Sequence, residues 1–272
     1  MKILRYKQDR RSIVFVAIVL MMQMLFLKQE TSKMSWSVII VEAMLLGFGC
    51  YLCHCINHNF IHIPIFISKK ANKFFSVILG IAQGLSPTSL VVTHNLKHHK
   101  HLAKQTDWFH DSKAGTGPGF IRLIRYVAVT WLLIARERKN DLTVRLTPHQ
   151  ARQEIIENIG LLCFSALALY LNWRAYLFII FPAWMIASFS ITAINLIQHD
   201  GCVDHELNHS RNYTSDLGNW FFFNGGYHGA HHEKPSLHWT ELPKFHKSIA
   251  DQIPEELNSD SLIKTLLTKY VI

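Results

Sequence analysis

Three histidines in the segment 224–232 are spaced to share one side of a helical turn. His228, His231 and His232 stand at positions i, i+3 and i+4, which a helix places on the same face. Neutral imidazole binds zinc, copper, iron and nickel. The spacing therefore predicts a metal-binding face, although a single group of this kind arises by chance on surface helices about as often.

Further histidine groups elsewhere in the chain favour the metal interpretation. The chain has 17 histidines, and all but His149 and His246 fall in the windows 54–62, 94–110 and 199–238. Metal sites require such clustering, whereas solvent-exposed faces do not. The histidines that have the spacing of metal ligands and lie at the ends of apolar stretches are, in chain order, His58 and His62, then His94, His98 and His99, then His199.

Adjacent histidines in two of these groups suit two neighbouring metal ions. On an α-helix His94 and His98 are one turn apart, so we expect them to face one metal. His99 lies about 100° further round the helix than His98 and is expected to reach a second metal. His231 and His232 are expected to divide in the same way.

The elements that position these groups are apolar segments. Of the 272 residues, 49% are hydrophobic and 17% are charged, and the apolar residues occur in blocks. The pattern predicts an all-α integral membrane protein, a single domain over residues 1–272 with about four transmembrane helices. The expected membrane segments are about 13–27, 36–56, 159–171 and 175–196, with interfacial or re-entrant segments at 74–92 and 121–135.

The distribution of basic residues predicts the orientation in the membrane. The connections 28–35 and 172–174 hold three of the 28 Lys and Arg residues, and the other 25 lie elsewhere. By the positive-inside rule, we expect the N-terminus and all histidine windows on the cytoplasmic side. In a bacterium this would be the inner membrane. The net charge of +9 is thereby assigned to orientation and anionic lipid, and no nucleic-acid partner is expected.

Several other features carry weaker expectations. Cys50, Cys53 and Cys55 lie in an apolar stretch and predict helix packing and no disulfide framework. Glu42 is costly in lipid and is expected to face protein or water. The segment 137–157 is expected to be a loop or short helices, and 254–272 a peripheral tail.

The histidine groups resemble the histidine boxes of the membrane-bound fatty acid desaturase and hydroxylase superfamily. The matching motifs are His58-x3-His62, His94-x3-His98-His99, Asn195-x3-His199 and His228-x2-His231-His232, in the order of that family. The resemblance implies a four-helix membrane stalk and a cytosolic histidine-rich cap holding two iron ions. It implies as metal ligands His58, His62, His94, His98, His99, His199, His228, His231 and His232. It also implies that Asn195 reaches one iron through water.

The first box leaves one choice open. Asn59 stands where the family often has an acidic residue, and His54 lies one turn before His58, so the first ligand pair is His58 with His62 or His54 with His58. The Ile-Pro-Ile-Phe sequence after His62 resembles the family and favours the first pair. His54 is then a packing residue or a hydrogen-bonding partner of a ligand, as is Asp107 after the second box.

The remaining histidines have less definite roles. Hydrogen bonding to ligands, or a place on the surface, is expected for His101, His110, His205, His209 and His238. His149 and His246 carry no signal. Arg211 and Trp239 are expected to line the cap or to pack.

The reaction implied by the resemblance is activation of O2 at two irons, followed by hydrogen abstraction from a lipid acyl chain. Fatty acid desaturation is the first choice. A hydroxylase, ketolase or terminal-alkene-forming enzyme acting on a fatty acid, alkane or carotenoid is the alternative within the same chemistry. A membrane metal transporter or sensor would place ionisable ligands inside the spans, whereas these histidines lie at or beyond the helix ends.

Electrons for this reaction are expected from a separate protein, because no haem or flavin module is visible in the sequence. A ferredoxin-like acidic carrier is expected to bind Lys97, Lys100, Lys104 and the arginines of 136–152, although a solvated or lipid-facing charge run is the commoner explanation of such residues.

Overall fold

The computed structural model describes residues 2–102, 104–203 and 206–271, and of Glu206 only the backbone. His205 lies outside the described residues, so its expected role stays a prediction. The chain forms two compact units. The first, the helical unit, is Met1–Leu90 with Leu146–Ser190, and the second, the histidine unit, is Val91–Arg145 with Ile191–Ile272.

The described chain is mainly helical. The α-helices are α1 (Arg10–Leu27), α2 (Trp36–His62), α3 (Lys69–Gln83), α4 (Pro87–Leu90), α5 (Gly119–Glu137), α6 (Pro148–Ala175), α7 (Phe181–His199), α8 (Asp216–Phe221), α9 (His228–Glu233), α10 (Leu242–Ile249) and α11 (Leu262–Leu266). π-Helical segments continue α4 (Val91–His98), join α6 to α7 (Tyr176–Ile180) and continue α11 (Leu267–Val271). Short 3₁₀ helices are Lys7–Asp9, Thr31–Lys33, Asp111–Ala114, Leu142–Val144, Glu206–Asn208, Trp239–Glu241, Ala250–Gln252 and Glu255–Leu257. Strands β1 (Asn212–Tyr213) and β2 (Asn258–Ser259) pair in parallel.

Long apolar helices dominate the helical unit. Within the described residues, Lys7–Leu27, Trp36–His62 and Pro148–His199 are long and apolar enough to cross a membrane. The third has 52 residues, which is about 78 Å of helix against a bilayer core of about 30 Å. Its backbone leaves helical geometry at Asn172, with φ −159° and ψ 85°. The four expected membrane segments fall within these stretches, and the expected turn at 172–174 coincides with the break.

The break at Asn172 lies beside the connection between α1 and α2. The Asn172 amide donates to Gln29 O at 2.8 Å and to Thr31 Oγ1 at 3.1 Å. Gln29 in turn donates through Nε2 to Glu42 Oε1 at 3.1 Å, so Glu42 faces protein as expected. The two connections that carry few basic residues are therefore at the same end of the helical unit.

A sharp bend separates α3 from the helix that carries the second histidine group. The axes of Lys69–Gln83 and Pro87–His98 differ by 88°. Gly84 ends α3 in the left-handed conformation with φ 78°, and a Cβ there would lie 2.1 Å from Trp184 Cγ. Glycine is thus required at this position for conformation and for space. The interruption expected within 74–92 lies at this bend.

Two buried side chains satisfy the backbone groups that the bend frees. Gln23 of α1 donates to Ala82 O at 3.1 Å, near the end of α3. Glu157 of α6 accepts from Thr88 N at 2.9 Å and from Ser86 Oγ at 2.6 Å, at the start of α4. In an apolar environment a helix can break only where such partners replace the lost backbone bonds. The two side chains therefore stabilise the start of the helix that continues to the second histidine group.

The expectation of a loop or short helices over 137–157 is wrong for its second half. α6 begins at Pro148, because Thr147 and Gln150 form a capping box and Pro148 occupies the first helical turn. This start precedes the apolar run by about three turns. Hydrophobicity alone therefore placed the beginning of the helix too late.

In the histidine unit, α5 runs antiparallel to the end of α7. Hydrogen bonds join the two helices in opposite chain directions: Arg122 to Asp200, Tyr126 to Asn195 and Trp131 to Thr192. The opposite side of α5 exposes Ile121, Ile124 and Leu132. An exposed apolar side is typical of a helix in contact with lipid, which is the role expected for 121–135.

The expectation of a peripheral tail over 254–272 is wrong. β2 pairs with β1, and Tyr270 is only 1% exposed. The Tyr270 hydroxyl donates to Asp200 Oδ2 at 2.7 Å. The tail was misjudged because its buried contacts are made by single residues, such as Tyr270 with Asp200, which leave no pattern in the sequence.

Candidate metal centre

Four buried histidines of the histidine unit, His98, His199, His228 and His232, form the four-histidine cluster. One ring nitrogen of each lies within 4.8 Å of those of the others. His228 Nε2 is 2.9 Å from His199 Nε2 and 3.0 Å from His232 Nε2. Two nitrogen ligands about 2.1 Å from one ion and at right angles to each other lie about 3 Å apart. The spacing fits imidazoles around a single cation.

Two of these rings are held in the tautomer that a metal ligand needs. His199 Nδ1 lies 2.7 Å from His209 O; because a carbonyl only accepts, His199 carries its proton on Nδ1 and presents a lone pair on Nε2. His98 Nδ1 lies 2.6 Å from Asp107 Oδ2. Burial alone would raise the pKa of Asp107, but hydrogen bonds from His98 and from Phe109 N hold this pKa below its usual range, so the carboxylate accepts the proton on His98 Nδ1. His98 Nε2 therefore also faces the cluster as a lone pair.

The protonation of the cluster agrees with metal binding. Burial, reinforced by the neighbouring histidines, lowers the pKa of His232 well below its usual range, so its ring is neutral at pH 7. Several neutral rings with converging lone pairs repel each other unless a cation lies between them. Imidazole donors favour a transition metal over calcium or magnesium. The residues present thus fit a resident transition-metal ion.

Helix α9 carries three histidines on only six residues, and the preceding loop is tied down by two asparagines. Asn212 Oδ1 accepts from Gly229 N at 2.9 Å in the first turn of α9. Asn219 accepts from Gly226 N at 3.1 Å and donates to Tyr213 O at 2.7 Å. A helix this short is not stable alone. These bonds therefore fix the direction in which its histidines point.

A second group, the three-histidine cluster, consists of His94, His99 and His231. His99 Nε2 lies 3.0 Å from His94 Nε2 and 3.1 Å from His231 Nε2. The expectation that His94 and His98 face one metal is wrong, because residues 91–98 form a π-helix. The His99 amide donates to His94 O at 2.9 Å, an i to i+5 bond that brings His99 rather than His98 over His94.

The two clusters are neighbours within the histidine unit. His98 and His99 belong to different clusters, as do His231 and His232, so adjacent histidines divide as expected. The ring centroids of His99 and His232 are 4.5 Å apart. The histidine unit thus offers two adjoining groups of metal-ligand type.

In the helical unit, the last turn of α2 carries the first histidine pair. One ring nitrogen of His58 lies within 4.8 Å of one of His62, and the ring centroids are 5.5 Å apart. His54 is one turn earlier and 1% exposed, and it belongs to no metal-compatible group among the residues described. The choice of His58 with His62 as the ligand pair stays a prediction.

Asn195 lies against the four-histidine cluster. Its Nδ2 is 3.5 Å from His98 Nε2, and its Oδ1 is 2.9 Å from the Tyr126 hydroxyl. The same hydroxyl lies 2.7 Å from Phe109 O. One hydroxyl proton therefore faces two acceptors, of which it can fully satisfy one.

Of the histidines without an assigned ligand role, His209 supports the site most directly. Its carbonyl accepts from His199, and its ring Nε2 lies 2.9 Å from Glu233 Oε1. A cavity of about 20 Å³, room for about one water molecule, lies against His98 and His199 and is bordered by His110. The other three described histidines without a ligand role form hydrogen bonds within their own loops: His101 with Thr106, His110 with Ser112 and His238 with Thr240.

The remaining candidates have structural places. His149 is exposed at the start of α6, and His246 is buried with its ring 5.1 Å from that of Tyr227. Arg211 donates to Glu256 O at 2.9 Å. Trp239 is buried, so packing is its role.

The expectation that Lys97 binds an electron carrier is wrong. Lys97 is buried, and its Nζ lies 2.5 Å from Asp141 Oδ2. The hydrogen bond from Lys97 holds the pKa of Asp141 low, at about 2, so the buried lysine is already paired with a carboxylate of this chain. Lys100 and Lys104 are exposed and remain available.

Two supporting residues were not found from the sequence. Tyr126 gives no signal, because it lies in an otherwise apolar helix. Asp200 does give a signal in the sequence, because it directly follows His199 at the end of an apolar stretch, where an unpaired carboxylate would be costly. Arg122 satisfies it with two hydrogen bonds, at 2.6 and 3.1 Å.

Comparison with protein families identifies one to which the chain is similar. The sequence model of the family "Fatty acid desaturase" matches residues 34–261, a range that includes every histidine of both clusters and the pair at the end of α2. No curated protein sequence matches the chain.

Proposed function

Because the chain belongs to the fatty acid desaturase family, we propose that it is a membrane-bound di-iron oxidoreductase that uses O2 to introduce a double bond into a fatty acyl chain. The observation that carries this proposal is the pair of adjoining histidine clusters. Family membership implies an oxidoreductase in a membrane setting with a lipid substrate. The identity of the metal and the type of reaction are our proposals.

The ligands divide between two iron sites. The four-histidine cluster holds one iron. The three-histidine cluster holds the other, and His58 and His62 are proposed as further iron ligands on the resemblance of the first box. The assignment of His58 and His62 is supported by their spacing on α2, by the closeness of their ring nitrogens and by the resemblance of the first box.

Other residues of this chain orient the ligands. When bound, the two irons supply O2 activation and the oxidising power for breaking unactivated C–H bonds. Asp107 and the His209 carbonyl hold His98 and His199 in the ligand tautomer. The apolar helices bind the acyl chain and exclude water from the reacting carbon atoms.

Asn195 presents its side-chain oxygen to the metal side. With iron on His98 Nε2, the Asn195 amide nitrogen has no acceptor there. Rotation of the Asn195 amide by 180° gives its nitrogen an acceptor, the Tyr126 oxygen. The same rotation leaves the Tyr126 hydroxyl proton with a single acceptor. The Tyr126 hydroxyl then donates to Phe109 O and accepts from Asn195 Nδ2, and Asn195 Oδ1 would be the acceptor that the chain offers beside an iron held by His98.

The overall reaction needs two electrons from outside the chain. The substrate gives up two hydrogen atoms, and these, with two electrons and two protons, reduce O2 to two water molecules. We propose a separate, acidic, ferredoxin-like carrier as donor. The exposed Lys100 and Lys104 support its docking.

The active site faces the cytoplasm in this proposal. The distribution of basic residues supports it, and so does the contact of Asn172 with Gln29, which puts both lysine- and arginine-poor connections at one end of the helical unit. Cysteine labelling at positions 29–34 should occur from the outer side. Labelling of that segment only from the cytoplasm would contradict the orientation.

A labelled substrate tests the reaction. A host expressing the chain receives a perdeuterated saturated fatty acid under ¹⁸O2, and its lipids are compared by mass spectrometry with those of a host expressing the His231→Ala variant. Loss of two deuterium atoms without ¹⁸O incorporation supports desaturation. A product with one deuterium replaced by an ¹⁸O-hydroxyl would identify a hydroxylase, and no oxidised product would contradict the proposal.

A further inference from the structure

The helix at the end of the chain exposes an apolar stripe. This C-terminal helix comprises α11 and its π continuation, Leu262–Leu266 and Leu267–Val271. Ile263, Leu267 and Val271 stand at positions i, i+4 and i+8 and are 68, 43 and 60% exposed. This spacing places them along one side of the helix. A row of large apolar side chains on a short helix is costly in water and indicates a partner.

The inner side of the same helix is fastened to Asp200. The Lys269 ammonium lies 2.9 Å from Asp200 Oδ2 and donates to Asp200 O at 3.0 Å. The Tyr270 hydroxyl lies 2.7 Å from Asp200 Oδ2. Asp200 directly follows the apolar stretch Pro148–His199. The C-terminal helix is therefore held beside the end of that apolar stretch.

The neighbouring helix α5 independently supports the position of the C-terminal helix beside the end of the apolar stretch. Its start lies against the C-terminal helix, since a Cβ on Gly119 would be 2.1 Å from Lys269 O. From there α5 descends along the apolar stretch, as its contact between Trp131 and Thr192 shows. Its exposed side chains between residues 121 and 132 are Ile121, Ile124, Arg125, Ala128 and Leu132, of which Arg125 alone is charged. The C-terminal helix thus lies where α5 begins to run beside a membrane-crossing segment.

We propose that the C-terminal helix is an interfacial helix that binds the phospholipid bilayer, with Ile263, Leu267 and Val271 in the boundary between headgroups and acyl chains. Lys264 and Arg125 are exposed nearby in the same unit and suit lipid phosphates. The helix lies beyond the family match, which ends at residue 261. The inference rests on the membrane setting of the proposed function and is independent of its redox chemistry.

The test uses forms of the full chain in phospholipid nanodiscs that retain the buried Cys50, Cys53 and Cys55 and have one accessible cysteine each. The test position is Leu267→Cys, in a chain that also carries Cys163→Ala and Cys202→Ala. An aqueous control carries Lys247→Cys, an exposed position on α10, in the same background. A membrane control retains Cys163, which is exposed on α6 within an apolar stretch, and carries only Cys202→Ala. Each cysteine receives an environment-sensitive fluorophore, and quenching by nitroxide-labelled lipid and by aqueous iodide is measured.

The expected result is lipid quenching at position 267 at least twofold greater than at 247, with weaker iodide quenching and blue-shifted emission. Iodide quenching at 267 equal to that at 247, without lipid quenching, would overturn the inference. Cross-linking between two chains at 267 in place of lipid quenching would overturn it in favour of a contact between copies. Absence of lipid quenching at Cys163 would instead contradict the membrane setting, and with it the proposed function.

Discussion

Replacing Asp107 by asparagine tests how the protein orients a ligand without touching the metal. Asp107 is 1% exposed; one carboxylate oxygen lies 2.6 Å from His98 Nδ1 and the other accepts from Phe109 N at 2.9 Å. An asparagine offers one acceptor oxygen to these two donors, and its NH2 group must face one of them. The variant also lacks the negative charge that stabilises the proton on His98 Nδ1.

The expected effect of Asp107→Asn is weaker iron binding. Loss of a hydrogen-bond partner to a metal-ligating histidine lowers metal affinity about 10- to 100-fold, which is about 1.4–2.7 kcal/mol. Iron per chain is measured on purified protein dialysed against chelators of graded affinity, with thermal unfolding measured in parallel. The matched control is Asp111→Asn, whose carboxylate accepts from Gly201 N at 3.0 Å and should leave the curve unchanged. An Asp107→Asn variant that retains iron as tightly as the native chain would refute the reasoning.

Three further predictions follow from other buried polar groups. Tyr126→Phe should weaken iron binding severalfold in the native chain but not in an Asn195→Asp background. The reason is that a carboxylate at position 195 presents an oxygen to the metal side in either orientation, whereas an amide does so in only one. Equal losses of iron binding in both backgrounds would contradict the proposed orientation of the Asn195 amide. Glu157→Ala should lower the free energy of unfolding by about 3 kcal/mol, because at least three donors lose their acceptor, and a thermal melt within 1 °C of the native one would contradict this. The pKa of Asp200 is about 2: burial raises it, but hydrogen bonds from Arg122 and the C-terminal helix outweigh that effect. A carboxyl group whose pKa is lowered on folding stabilises the protein at pH values above its unfolded-state pKa, and this contribution is lost as the pH falls towards 2. The native chain should therefore be more stable than Asp200→Asn by about 1 kcal/mol at pH 7, after allowance for solvent screening, and by less at pH 3.

The sequence was most informative where one residue type has a fixed spacing. The histidine groups and the apolar segments are local patterns, and both are found where expected. His231 and His232 divide between clusters because α9 is a regular helical turn. The division at His94 and His98 was predicted incorrectly, because a π-helix has no recognisable signature in hydrophobicity.

Long-range pairing explains the other differences. Lys97 reads as a surface charge until Asp141, 44 positions later, is folded against it. Tyr270 reads as part of a tail until its hydroxyl meets Asp200, 70 positions earlier. A single buried ion pair or hydrogen bond leaves no periodic trace, so such contacts become visible only in three dimensions.

Metal content measured on active protein tests the central claim most directly. Purified chain with verified oxidation activity is analysed by mass spectrometry of the elements, beside His231→Ala and His246→Ala variants. The account predicts two irons per native chain, loss of iron together with activity in His231→Ala, and no change of either in His246→Ala. One equivalent or more of zinc without iron in active native protein would contradict it.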